Sequence, residues 1–145
     1  MDWRKEAISE LREYEAKKAA VLSLPEDIAF LKTESVRIGG ASSDSVPVRG
    51  GGSAWEDKQI NLIVRREKLE TSLRYAKEWV GRVERGLSQL TEEEKLILDR
   101  FYINAAKGNL DRLCDELCLE KSAVYYRKDA ALRHYTLARF GCTEV

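Results

Sequence analysis

Leu110-Asp-Arg-Leu-Cys-Asp-Glu-Leu-Cys-Leu-Glu-Lys-Ser-Ala-Val-Tyr-Tyr-Arg-Lys-Asp-Ala-Ala-Leu132 is the stretch on which the fold turns. Leu110, Leu113, Cys114 and Leu117 recur at the three-four spacing of a helix, so two turns share one apolar face. Cys118-Leu119-Glu120 breaks that rhythm, and a second helical pattern runs from about Lys121 to Arg139. Its inward positions are Val124, Ala131, Leu132 and Tyr135. That register turns Lys121, Ser122, Tyr125, Tyr126, Asp129 and Arg133 outward, with Arg127 and Lys128 flanking them.

A short helix, a three-residue turn and a longer helix form the layout of a helix-turn-helix. The charge distribution agrees. Although 25 Lys and Arg balance 25 Asp and Glu over the chain, Lys121, Arg127, Lys128, Arg133 and Arg139 face Asp129 alone. Overall neutrality argues against a bulk polycation, so nucleic-acid contact has to come from such local clustering. The same spacing also describes a basic surface helix in an ordinary bundle. The turn position often held by glycine is Cys118, and positive φ is uncommon for other residues.

Upstream, Thr91-Glu92-Glu93-Glu94 reads as a capping box with three acids at the positive end of a helix dipole. The helix it opens carries Leu96, Ile97, Leu98, Phe101 and Tyr102 and stops at Asn104-Ala-Ala-Lys-Gly-Asn109. Before it, Leu62, Leu69, Leu73, Ala76, Val80, Val83, Leu87 and Leu90 form a seam of three-four spacing with Arg66 as its polar intruder. Ser53-Ala-Trp-Glu56 is expected to cap this long helix, and Gly81 and Gly86 weaken it by about 1 kcal/mol each against alanine. The seam needs a cover, either the N-terminal helices folded back antiparallel or a second copy of the chain.

Residues 39–53, rich in glycine and serine, read as a flexible loop. No Gly-Lys-Ser/Thr follows these glycines, which argues against a phosphate loop. Ala7, Leu11, Tyr14 and Val21 place a helix over about 2–23. Ser23-Leu24-Pro25-Glu26 is expected to end it and to cap a second helix with Ile28, Leu31 and Ile38 inward. The expected fold is all-α: a long, coiled-coil-like helical hairpin and oligomerisation arm over 1–90, then a three-helix helix-turn-helix domain over 91–145.

Nothing points to catalysis, a metal or a cofactor. Cys114, Cys118, Cys142 and His134 have ligand types for zinc, yet Cys114 reads as a small buried hydrophobe and Cys118 as a turn residue. Three cysteines make no disulfide framework, and no apolar run is long enough to span a bilayer, so cytosolic residence is the expectation. Trp3, Trp55 and Trp79 read as packing residues.

The 110–132 stretch resembles the region-4 helix-turn-helix of sigma-70-type factors. Leu11-Arg-Glu-Tyr14, Leu24-Pro-Glu26, Pro47-Val-Arg-Gly-Gly-Gly52, Leu90-Thr-Glu-Glu-Glu94, Phe101-Tyr102 and Ser122-Ala-Val-Tyr-Tyr-Arg127 extend the likeness over nearly the whole chain. Together they resemble phage-encoded late-gene transcriptional regulators of the ArpU/RinA type. This resemblance implies a bacterial or prophage DNA-binding regulator of transcription, acting in the host cytoplasm. The outward face of the last helix is then expected to meet double-stranded DNA through Lys121, Ser122, Tyr125, Tyr126, Arg127, Lys128 and Arg133, and the apolar seam to make the protein a homo-oligomer. Two other functions fit the same pattern. One is a small terminase subunit, although there the DNA-binding part usually precedes the oligomerisation helices. The other is a protein-interaction module that holds RNA polymerase without reading DNA.

Overall fold

The computed structural model describes residues 1–42 and 51–143, and side-chain surroundings over 1–37 and 54–143. Among them the fold is all-α, without strands: α1 (Trp3–Ser42), α2 (Gly51–Ser88), α3 (Glu92–Leu98), a π-helical turn (Asp99–Ile103), α4 (Asn109–Leu117) and α5 (Lys121–Phe140). No helix among the described residues is long and apolar enough to cross a membrane.

Two sequence expectations are corrected. The break at Ser23–Glu26 does not occur, because α1 runs on with Pro25 inside it. Proline removes one backbone bond and crowds the carbonyl four residues earlier. Pro25 is on an exposed face, while Ile28 and Leu31 just beyond it are buried. Burial of two large aliphatic groups, at roughly 1.5–3 kcal/mol each, offsets the local penalty. The expected loop is also shorter than 39–53. Residues 39–42 end α1 and 51–53 begin α2, so Ser53 lies inside the helix it was expected to cap; residues 43–50 lie outside the described residues. Extending an existing helix needs no new nucleus, so glycine at its end costs less than composition suggests.

The chain divides into two compact units, Met1–Lys18 with Glu78–Val145 and Ala19–Lys77. In the second, Ile28 and Leu31 are buried on α1, whereas Leu62, Leu69, Leu73 and Ala76 on α2 are half-buried. Ser35 donates its hydroxyl to Gln59 Oε1 at 3.2 Å, and Gln59 Nε2 returns a bond to the Ser35 carbonyl at 3.4 Å. Arg66, in the same row as the leucines, has a buried Nε without a hydrogen-bond partner; the Glu70 carboxylate is 3.8 Å away.

In the first unit the start of α1 lies antiparallel to the end of α2. Tyr14 donates to Glu84 at 2.8 Å, and Lys17 stands over the Trp79 ring at 4.8 Å. Ala7, Leu11, Val80 and Val83 are buried, so this part of the seam is covered by the chain itself. The start of α1 also holds α5. Glu10 accepts Tyr135 Oη at 3.0 Å and both Nε and Nη2 of Arg139 at 3.1 and 2.8 Å. The Arg139 and Glu10 side chains are only 17% and 12% exposed, so losing either would strand a charge at a cost of about 3–5 kcal/mol. Burial and the Glu10 charge push the Tyr135 hydroxyl far above the ordinary phenol range. Trp3 packs on Phe140 with ring centres 4.9 Å apart.

Candidate nucleic-acid interface

The platform for α5 begins at Thr91. Its hydroxyl accepts the Glu94 N–H and the Glu94 carboxylate accepts the Thr91 N–H, both at 3.2 Å, which is the capping box expected from the sequence. Glu94 also meets His134 Nδ1 on α5. Burial works against the charge on Glu94, but the bonds from His134 and Thr91 outweigh it and hold the carboxyl below its ordinary value. One side chain thus starts α3 and ties it to α5.

After α3 the backbone widens into the π-helical turn. Asn104 N–H reaches the Asp99 carbonyl at 2.7 Å, and the Asn104 side chain donates to Asp99 Oδ1 at 2.6 Å. Buried Asn109 then donates to the Arg100 and Asn104 carbonyls, both at 3.0 Å, fixing the start of α4 against the turn. Neither role was read from the sequence. A π turn leaves no periodic signature, and the only visible sign is the pair of asparagines bracketing Gly108.

Ile97, Leu113 and Val124, one each from α3, α4 and α5, form the apolar centre, with Leu110, Cys114 and Leu117 packed against it. Cys118 adopts φ 55° and ψ 44°, the left-handed conformation usually given to glycine, and its N–H caps the Cys114 carbonyl. A side chain there costs roughly 1–2 kcal/mol. Leu119, packed on the same centre, holds the turn in place. Glu120 returns to extended backbone and α5 starts at Lys121.

On α5, Val124, Ala131, Leu132 and Tyr135 are buried as their spacing implies. Thr136 is buried as well, which its polarity concealed; its hydroxyl is satisfied by the Leu132 carbonyl at 2.6 Å. Lys121, Ser122, Tyr125, Tyr126, Arg127, Asp129 and Arg133 are exposed. Tyr126 is the most open of the aromatic side chains, at 77%.

These exposed residues are not equivalent. Lys121 is 3.7 Å from Asp111, and Arg127 pairs with Glu93. Lys128 is 20% exposed and lies over two rings, Phe101 at 5.3 Å and Tyr125 at 5.2 Å, with Asp129 3.5 Å away. Tyr125 in turn packs on Phe101 at 5.9 Å. Arg133 makes no ion pair among the described residues. Beside it is a cleft of about 450 Å³ lined by Arg4, Tyr126, Asp129, Ala130, Arg133, Thr136 and Thr143, in which Arg4 reaches Asp129 at 3.0 Å. Ser122, Tyr126 and Arg133 therefore form an uncommitted outer strip, while Tyr125 and Lys128 brace the helix on α3 and the π turn.

Among the described residues, no group of three His, Cys, Asp or Glu side chains could hold a metal ion, and Cys114, Cys118 and Cys142 are free thiols. No protein-family model, curated protein or solved structure matches the chain.

Proposed function

We propose that the chain is a sequence-specific double-stranded DNA-binding regulator of transcription, an activator of a phage or prophage operon acting in the bacterial cytoplasm. In this reading α3, α4 and α5 are a helix-turn-helix domain carried on a helical hairpin, and α5 is the recognition helix. The observation that carries it is the outer strip of α5. One face of the helix is locked onto α3 and α4, while Ser122, Tyr126 and Arg133 on the other are left without partners that would need to be displaced.

The chemistry follows from position. Ser122, in the first turn, suits a base edge, and the Tyr126 ring one turn on suits a thymine methyl in the major groove. Arg133 supplies phosphate attraction. Arg127 and Lys121 can join it by exchanging exposed acids for phosphates. Such exposed ion pairs are worth only about 0–1 kcal/mol, so the exchange is cheap. Lys128 and Tyr125 contribute by fixing the angle of the helix. Recognition of paired half-sites would be completed by self-association, as is common for this motif.

The test is selection of duplexes from a random-sequence pool by the full chain. Enrichment of one motif, with an altered motif for Ser122→Ala and Tyr126→Ala, supports the proposal. Binding without enrichment, rings around DNA, or capture of RNA polymerase with no duplex binding would each replace it.

A further inference from the structure

Beside the C-terminal half of α5 a second cleft, of about 590 Å³, is lined by Arg82, Arg85, Gly86 and Gln89 of the α2 end and by His134, Leu137, Ala138 and Arg139. We propose that Arg82 and Arg85, with the Gln89 amide, are a phosphate-binding site that grips the backbone of the same duplex whose bases α5 reads. This rests on the DNA-binding reading given above.

The local electrostatics single the site out. Arg82 and Arg85 are exposed, and neither makes an ion pair among the described residues, although most other cations near α5 do. Glu78, one turn before Arg82, offers it only its backbone carbonyl and forms no ion pair with it, and three other acids on the surrounding helices have partners of their own. Glu94 is held by His134 and Thr91, Glu10 by Arg139 and Tyr135, and Glu84 by Tyr14. His134 and Arg139 line the cleft but serve those acids, so the spare charge belongs to the two α2 arginines.

Arg82 is guided by its own helix, and Arg85 is given room. Arg82 Nε donates to the Glu78 carbonyl at 3.4 Å, which lays its stem along the helix. A Cβ on Gly81 would stand 3.3 Å from Arg85 Nη1, so glycine there leaves room for the Arg85 guanidinium to fold back over the preceding turn. Like charges three residues apart on a helix repel, and an oxyanion between them would relieve that repulsion while accepting several N–H bonds. A phosphodiester has this chemistry. Its position also suits a backbone contact. His134 is two turns along α5 from Arg127 on the same side, and the later turns of a recognition helix approach the backbone rather than the base edges.

The experiment measures duplex affinity of the full chain over a salt series for the unaltered protein and for Arg82→Gln/Arg85→Gln. A Lys32→Gln/Lys58→Gln protein, with the same loss of charge at exposed positions of the other compact unit, is the control. Each phosphate contact contributes about 0.9 to the slope of log affinity on log salt, so the arginine variant should lose about 1.8 with its preferred sequence unchanged. Equal slopes for variant and control would overturn the site and leave the DNA reading standing. If the unaltered chain binds no duplex, the DNA reading fails and the site is judged alone. Inorganic phosphate should then shift the Arg82 and Arg85 side-chain N–H resonances of the unaltered chain. Shifts there would retain the pair as a phosphate site without DNA, and their absence would overturn it.

Discussion

Two glycines on one helix should respond to alanine with opposite signs. Replacing either by alanine gains about 0.8–1.0 kcal/mol of helix propensity. At Gly86 the new Cβ would stand 3.0 Å from Tyr135 Cε2, 3.5 Å from Cδ2 and 3.6 Å from Arg139 Cβ. The ring would have to yield by a few tenths of an ångström, and it is poorly placed to do so. It is fully buried, and its hydroxyl is anchored to Glu10, which Arg139 grips with two bonds. Overpacking of this kind costs roughly 1–3 kcal/mol, so Gly86→Ala should be destabilising by about 1 kcal/mol after the propensity gain. At Gly81 the only close atom is Arg85 Nη1, the far end of an exposed and flexible side chain that can swing aside. Gly81→Ala should therefore stabilise by up to about 1 kcal/mol. With an unfolding entropy of roughly 2.1 cal/mol/K per residue over 145 residues, each kcal/mol corresponds to about 3 °C in Tm. Thermal unfolding followed by far-ultraviolet circular dichroism reads both variants. A Gly86→Ala protein as stable as Gly81→Ala would refute the close packing of α2 on Tyr135.

Thr91→Ala should cost about 1 kcal/mol and blunt the acid sensitivity of the fold. The folded carboxyl of Glu94 lies below its ordinary value of 4.5, so its contribution is full above that pH and is lost as pH falls through the folded value. Urea titrations at pH 6 and pH 3.5 check this, and an equal loss in both proteins would sink it. Tyr125→Ala should lower Tm first, because its ring lies between Phe101 and Lys128, whereas Tyr126→Ala should leave Tm unchanged and cost roughly 1–3 kcal/mol on the preferred duplex alone. Melting curves beside binding isotherms separate the two. Self-association should be visible by sedimentation at micromolar concentration; Leu73→Glu, at a half-buried position, should abolish it, and a monomer before substitution would exclude it.

Periodicity made most of the helical domain legible in the sequence. The four inward residues of α5, the Thr91 capping box and the turn at Cys118 all follow from spacing and local chemistry, because burial on one face leaves a regular apolar trace. What spacing concealed was governed by tertiary contacts. Pro25 remains helical because Ile28 and Leu31 are buried beyond it, and the glycines at 39–40 and 51–52 remain helical as extensions of long helices. Thr136 is buried because its hydroxyl finds a carbonyl on its own helix. Of the seven residues expected to face DNA, six are exposed. Lys128 is mostly covered because its stem and charge settle over two rings whose proximity no local pattern encodes. The Arg82–Arg85 cleft was equally hidden, since it joins α2 to α5 across some fifty residues of chain.

The most direct test of α5 as the DNA reader is to titrate isotopically labelled full chain with a duplex carrying the selected motif and to follow backbone amide resonances. The largest shifts are expected over 121–133, centred on Ser122, Tyr126 and Arg133, with little change at Val124 and Leu132 on the buried face. Shifts confined to Ala19–Lys77, or no shifts at any salt concentration that keeps the duplex intact, would contradict it.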